Sequence, residues 1–243
     1  MDENRIDIPD LLNALFDDAL NADEFEYCCT LLRIRGEEPL AWDPLRESIE
    51  LIQQVMSLVE SPVERSFRLR LLLFLYCHAT EMHDLYAVPM NLLRIVTGGR
   101  YSLLPFYEGQ KSEPKYPSQK VKVLSRYARQ KGYTNLADLY EWMLVPQVRN
   151  AFFHSDYAIS DSEFIIYSCR GVEIEGEYTN VIPWQWLLPR LQTGINLAIV
   201  MIRQLYDRRA AYKEEKIVRP GRVEGFGDVK LIVGRHGLLG FSA

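Results

Sequence analysis

Arg149, Asn150 and His154 fall within the six residues Arg149-Asn150-Ala151-Phe152-Phe153-His154. A guanidinium is a permanent cation whose planar fork matches the oxygens of a phosphodiester. An imidazole takes and gives a proton near neutral pH. A side-chain amide can orient either partner. Together these groups could bind a phosphodiester and move a proton on it. The competing reading is structural: His154 sits where it can favour a helix C-terminus, and Arg149 can pair with a carboxylate.

Two further sets of residues could assist. The stretch from Lys111 to Lys131 carries Lys111, Lys115, Lys120, Lys122, Arg126, Arg129 and Lys131 against the single acid Glu113, with Tyr116 and Tyr127 inside it. Cations that follow phosphates, with rings that stack on bases, suit single-stranded RNA. Lys120, Lys122, Arg126, Arg129 and Tyr127 are therefore the RNA-binding candidates, with a solvated basic helix as the plain alternative. Upstream, His78, Glu81, His83 and Asp84 close an apolar run. From there Glu81 could hold Arg149 or His154. His78 and His83 are five apart, not the four that place two ligands on one helix face, so no metal site is expected. No other cofactor is expected either.

Positioning these groups falls to helices. Amphipathic runs begin at Pro9 and near Phe25, the second ending near Gly36 and Pro39, and a third starts at Asp43-Pro44 with Leu45, Ile49, Ile52, Val55 and Met56 on one face. Ser61-Pro62-Val63-Glu64 reads as a helix start and opens the most apolar helix, reaching Tyr86. A short helix over Asn91 to Val96, a proline-rich loop from Tyr101 to Pro117, a helix over Ser118 to Lys131 and another capped by Thr134 follow. Pro146 kinks or restarts that last helix just before Arg149. Alternation then predicts short strands at Phe164 to Tyr167, Val172 to Glu175 and Tyr178 to Ile182. A long helix starts at Pro183-Trp184, and strand-like segments lie at Val229 to Val233 and Leu238 to Phe241.

The expected fold class is mainly α: an antiparallel helical bundle with a small β-hairpin insert and a short β-like C-terminal tail. Its parts are an acidic helical segment over residues 1–60, a bundle over 61–212 with the insert at about 157–182, and a glycine-rich tail over 213–243. On an ideal helix Gln147, Asn150, Ala151 and His154 share an arc, while Val148 and Phe152 face the core. Arg149 lies about 140° from His154. One helix does not aim both groups at one atom, which invites a second copy of the chain.

Hydrophobic residues make up 48% of the 243 residues and charged residues 25%, as in an ordinary globular protein. The four cysteines, Cys28, Cys29, Cys77 and Cys169, form no CxxC pair. That pattern and the acidic, non-apolar N-terminus fit a cytoplasmic protein, with no segment long enough to enter a membrane. The net charge of −5 hides an asymmetry: residues 1–60 carry 15 acids and 4 bases, a net of −11, and the remainder is +6. A polyanion partner for the later part is therefore not excluded. One reading has the acidic segment mask the basic stretch until it is released.

An arginine, a polar residue and then a histidine, late in a helix of an antiparallel bundle, resembles the HEPN (higher eukaryotes and prokaryotes nucleotide-binding) family. Arg149, Asn150 and His154 match the pattern position by position, and the flanking Val148 to Tyr157 is similar to bacterial members. The resemblance covers roughly Pro62 to Tyr212. It implies a metal-independent endoribonuclease acting as a homodimer with the motif helices facing each other, often within toxin–antitoxin or phage-defence systems. His154 would then act on the ribose 2′-hydroxyl or the leaving oxygen, Arg149 would hold the phosphate, and Asn150 would orient one of them. The product would be a 2′,3′-cyclic phosphate. An antitoxin or regulatory protein is an implied partner besides RNA. Some members are non-catalytic, so a module binding nucleotide, RNA or protein is the alternative, and a purely helical scaffold is a third.

Overall fold

The computed structural model describes residues 7–33, 44–107, 113–167, 170–220 and 227–242. Lys111, Ser112, Cys169, Gly36, Pro39 and Asp43 lie outside them. The described chain is mainly α. Its helices are α1 (Ile8–Ala22), α2 (Glu24–Leu32), α3 (Pro44–Glu60), α4 (Arg65–Glu81), α5 (Asp84–Val96), α6 (Pro117–Gln130), α7 (Thr134–Met143), α8 (Pro146–Phe153) and α9 (Trp184–Ala210). The strands are β1 (Tyr157–Ile159), β2 (Glu163–Ile166), β3 (Val172–Ile174), β4 (Glu177–Thr179), β5 (Val181–Pro183), β6 (Ile217–Val218), β7 (Val229–Gly234) and β8 (Gly237–Ser242). They form three small antiparallel sheets, ordered β1-β2-β5, β3-β4 and β6-β7-β8.

Local boundaries depart from the sequence reading in instructive ways. The apolar helix does not begin at Pro62. It begins at Arg65, with Glu64 at the N-cap making no side-chain cap bond. Nor does it reach Tyr86: Met82 turns extended and α5 starts at Asp84. His78 and Glu81 thus belong to one helix, and His83 and Asp84 to the next. Hydrophobicity on both sides of the break hid it, because burial supplies no periodic cue at a corner. Pro89 sits within α5 rather than ending a helix. Tyr133, not Thr134, is the N-cap of α7, and α1 starts at Ile8, one residue before Pro9, with Asp7 as its N-cap.

The core unites segments that the sequence separates. Leu12, Leu15, Phe16, Tyr27, Cys28 and Leu31 are fully buried in the same cluster as Leu73, Tyr76, Leu92, Tyr140 and Leu197. Helix α1 packs on α5 and α9, and α2 packs on both as well. Residues 8–32 therefore share the core of residues 61–212. The acids there are also engaged locally. Asp17 pairs with Arg208 on α9, Asp18 accepts the Tyr133 hydroxyl at 2.7 Å, and Glu24 meets Lys216 at 2.6 Å. These contacts tie the N-terminus to α9 and the tail. They give no support to a segment built to be released.

The tail sheet rests on α2 and α9. Gly237 adopts φ 103°, and a Cβ there would lie 2.1 Å from the Arg209 carbonyl oxygen, so the close approach requires glycine. Arg209 donates back to the Leu238 carbonyl at 3.2 Å.

Candidate active site

Helix α8 is placed by what precedes it. Residues before proline avoid helical geometry; Leu144 is extended, Val145 sits outside the helical region at φ −120° and ψ 84°, and Pro146 opens a new helix rather than kinking the old one. The fully buried Tyr76 of α4 closes the corner. Its hydroxyl donates to the Met143 carbonyl at 3.0 Å and accepts the Val145 N–H at 2.7 Å. Two backbone groups freed by the break thus find a partner inside the core. Val148 and Ala151 then bury against the core, with α8 packed on α4. Full burial of a side chain such as Val148 contributes about 1.5–3 kcal/mol. Ala151 was expected on the polar arc but is 4% exposed, whereas Phe152 is only half-buried.

The helix stops at Phe153. His154 is its C-cap, at φ −89° and ψ 5°, and donates its N–H to the Asn150 carbonyl at 3.0 Å. Ser155 then enters the left-handed region at φ 55°. The Ser155 N–H reaches the Phe152 carbonyl at 3.2 Å and the Asp156 N–H reaches the Ala151 carbonyl at 2.9 Å. That is a Schellman closure, here without the usual glycine. The chain passes from it directly into β1.

Arg149, Asn150 and His154 line one cavity of about 580 Å3, together with Glu81 and Thr80 at the end of α4 and with Tyr116, Pro117 and Ser118 at the start of α6. Arg149 and His154 stand about 140° apart on an ideal helix, yet both line this one space in a single chain.

Arg149 is braced on three sides. Its Nε lies 2.7 Å from Glu81 Oε1, an ion pair in which the N–H is not aimed well enough for a hydrogen bond. Its Nη1 donates to Asn150 Oδ1 at 2.8 Å. Its Cζ stands 5.2 Å from the centre of the Phe153 ring, one turn along α8. Glu81, offered by the sequence as a partner for Arg149 or His154, thus meets Arg149 from the end of α4. Just behind it, burial holds the His78 imidazole below its usual range, and Nε2 has no hydrogen-bond partner. Burial likewise pushes the Cys77 thiol up to about 12, an inert core thiol.

The basic candidates divide. Lys122, Arg126 and Arg129 share the exposed face of α6 and line a groove of about 980 Å3 with Lys115 and Tyr116. Arg129 is already held by acids: Nη1 and Nη2 donate to Glu141 at 2.7 and 2.6 Å, and Nη2 to Asp138 at 2.7 Å. This guanidinium keeps the Glu141 carboxyl below the usual carboxylate range. Lys120 faces α5 instead, its Nζ 3.2 Å from His83 Nδ1 and 5.9 Å from the centre of the Tyr86 ring. Tyr127 is half-buried, with its hydroxyl 3.0 Å from the Thr97 hydroxyl. Lys120 and Tyr127 therefore do not join the groove, because every third or fourth residue of α6 must face its neighbours. Thr80 and Ser118 line the α8 cavity without any sequence signal that marked them. Among the described residues, no group of three or more His, Cys, Asp and Glu could hold a metal ion, and no helix is long and apolar enough to cross a membrane.

Compared with protein-family models, with curated proteins and with solved structures, the chain has no match.

Proposed function

We propose that this chain is a HEPN-like endoribonuclease: an antiparallel helical bundle that cleaves RNA without a metal and works as a homodimer. The observation that carries this reading is the convergence of Arg149, Asn150, His154 and Glu81 on one cavity. Arg149 would bind the scissile phosphate. Glu81 and Asn150 hold its Nε and Nη1, so the remaining terminal nitrogen is presented in a set direction. The first residues of α6 line the same cavity, where a helix N-terminus favours an anion.

His154 would take the proton from the ribose 2′-hydroxyl. The 2′-oxygen attacks phosphorus, Arg149 offsets the charge gathering on the phosphoryl oxygens, and the bond to the 5′-oxygen breaks. That leaving oxygen needs a proton. A second His154, from the facing copy, would supply it, which is the chemical reason for a dimer. The products are a 2′,3′-cyclic phosphate and a 5′-hydroxyl. This activity suits a cytoplasmic toxin or phage-defence nuclease restrained by an antitoxin or regulatory protein.

One observation favours a second reading. Arg149 already has an acidic partner, and a guanidinium so occupied suits a non-catalytic HEPN-like module that binds nucleotide, RNA or protein. Incubating purified protein with RNA in EDTA separates the two. The nuclease reading expects products ending in 2′,3′-cyclic phosphate, lost in His154→Ala. No cleavage by the wild type, or equal cleavage by His154→Ala, would sink it.

A further inference from the structure

The groove along α6 and the cavity beside α8 have one lining residue in common, Tyr116. Tyr116 is the N-cap of α6 and is 60% exposed, so its ring stands at the junction rather than in the core. The Gln119 side chain turns back on its N–H at 3.5 Å. From this junction Lys122 and Arg126 run one turn apart along the exposed face of α6, with Lys115 beside Tyr116. Among the described residues, no carboxylate stands within ion-pair distance of Lys115 or Lys122. The far end is different: there Arg129 is neutralised by Asp138 and Glu141. Glu113 is the other acid on the groove wall, and it is turned to accept the Phe106 N–H at 3.4 Å.

We infer that this groove is a track for single-stranded RNA that feeds the α8 cavity, with Tyr116 stacking on the base beside the phosphodiester held there. The inference rests on the nuclease reading only for what happens in that cavity. The track is positive where it approaches the cavity and neutral where it ends, so it holds a strand at one end. From Tyr116 to Arg126 it spans about 15 Å at 1.5 Å per residue. That accommodates about four stacked nucleotides at ~3.4 Å each. A ring at the corner can stack only on an unpaired base, and a duplex hides its bases from it. Stacking tolerates any base, so the track selects strandedness rather than sequence.

The test is fluorescence anisotropy of the full chain with a twelve-nucleotide 2′-O-methyl RNA, which cannot be cleaved, and with the same strand in a blunt duplex. The single strand should bind at least about tenfold more tightly than the duplex. Lys115→Glu with Lys122→Glu should weaken it by about tenfold or more and reduce the slope of log affinity against log salt by about 1.4, ~0.7 for each lost phosphate contact. Tyr116→Ala should weaken it by about fivefold or more, and Tyr116→Phe, which keeps the ring, should restore it. These side chains are exposed, so the variants should melt like the wild type. The inference is overturned if the wild type binds no single strand, if duplex binds equally well, or if the double charge reversal has no effect. The stacking role is overturned if Phe and Ala at position 116 behave alike. Tight, variant-sensitive binding without cleavage of ordinary RNA would remove the nuclease and keep the track. Cleavage indifferent to the charge reversal would do the opposite.

Discussion

Glu81 Oε1 on α4 lies 2.7 Å from Arg149 Nε on α8, and this ion pair bridges the two helices at the mouth of the candidate site. The side chains are 34% and 27% exposed, so solvent screens the pair and its contribution to stability should be about 1 kcal/mol or less. Its effect on direction should be larger. On the proposed nuclease reading, Glu81→Gln is expected to lower kcat/KM for RNA by about ten- to a hundredfold, as misplacement of a binding group does. Urea unfolding should barely change. Higher activity in Glu81→Gln would mean that the carboxylate competes with phosphate instead of orienting Arg149.

Tyr76 joins α4 to the corner between α7 and α8 through one hydroxyl that serves two backbone groups. Tyr76→Phe strands both inside the core and should cost about 1–3 kcal/mol. Amide exchange at Val145 should speed up by more than exchange at Leu197 in α9. Uniform loss of protection would show that the hydroxyl serves the whole core rather than the corner.

Ser155 carries the left-handed turn that ends α8. A non-glycine residue there costs about 1–2 kcal/mol. Ser155→Gly is expected to raise the denaturation midpoint and, on the proposed nuclease reading, to retain RNA cleavage. Ser155→Val should lower both, because a β-branched residue resists positive φ. A destabilised Ser155→Gly would mean that the serine side chain matters more than the backbone.

His78 is half-buried with its Nε2 unpartnered, and desolvation lowers its pKa below the ordinary value of 6.5. The unfolded chain therefore binds a proton more readily than the folded one. Stability from this group is fully present above about pH 6.5 and is lost as pH falls through the folded-state value. The urea midpoint should drop between about pH 7.5 and pH 5.5, and His78→Gln should flatten that drop. An identical drop in the variant would assign it to other groups.

Removing α1 and α2 should abolish folding, not unmask an activity. Leu12, Leu15, Phe16, Tyr27 and Leu31 are fully buried. At about 1.5–3 kcal/mol each, their loss is comparable to the whole stability of a domain, roughly 5–15 kcal/mol. A chain starting at Pro44 should be insoluble or lack a cooperative thermal transition by circular dichroism. A cooperatively folded product would show that the core over α5 and α9 closes without them.

The extent to which sequence sufficed follows the range of the forces involved. Helical periodicity marked α1, α3, α6 and α9, and alternation marked β2, β7 and β8, because those patterns are written in consecutive residues. The Schellman turn after α6 was equally legible, since Gly132 occupies its left-handed position. The same turn after α8 was not, because Ser155 carries no such mark. That turn ends the helix at Phe153 and leads the chain into β1.

The sequence by itself determined the cast: Arg149, Asn150 and His154 close together, Glu81 late in an apolar helix, and Lys122 and Arg126 on one face of α6. Only the tertiary structure decided which of them meet. Tyr76 and α4 set the angle of α8, Asp138 and Glu141 claim Arg129, and α5 draws Lys120 away from the groove. It also merged the acidic N-terminal helices into the core. Those outcomes depend on packing between different elements, with partners from 9 positions apart for Arg129 and Asp138 to 69 for Tyr76 and Val145, and no local pattern records such a contact.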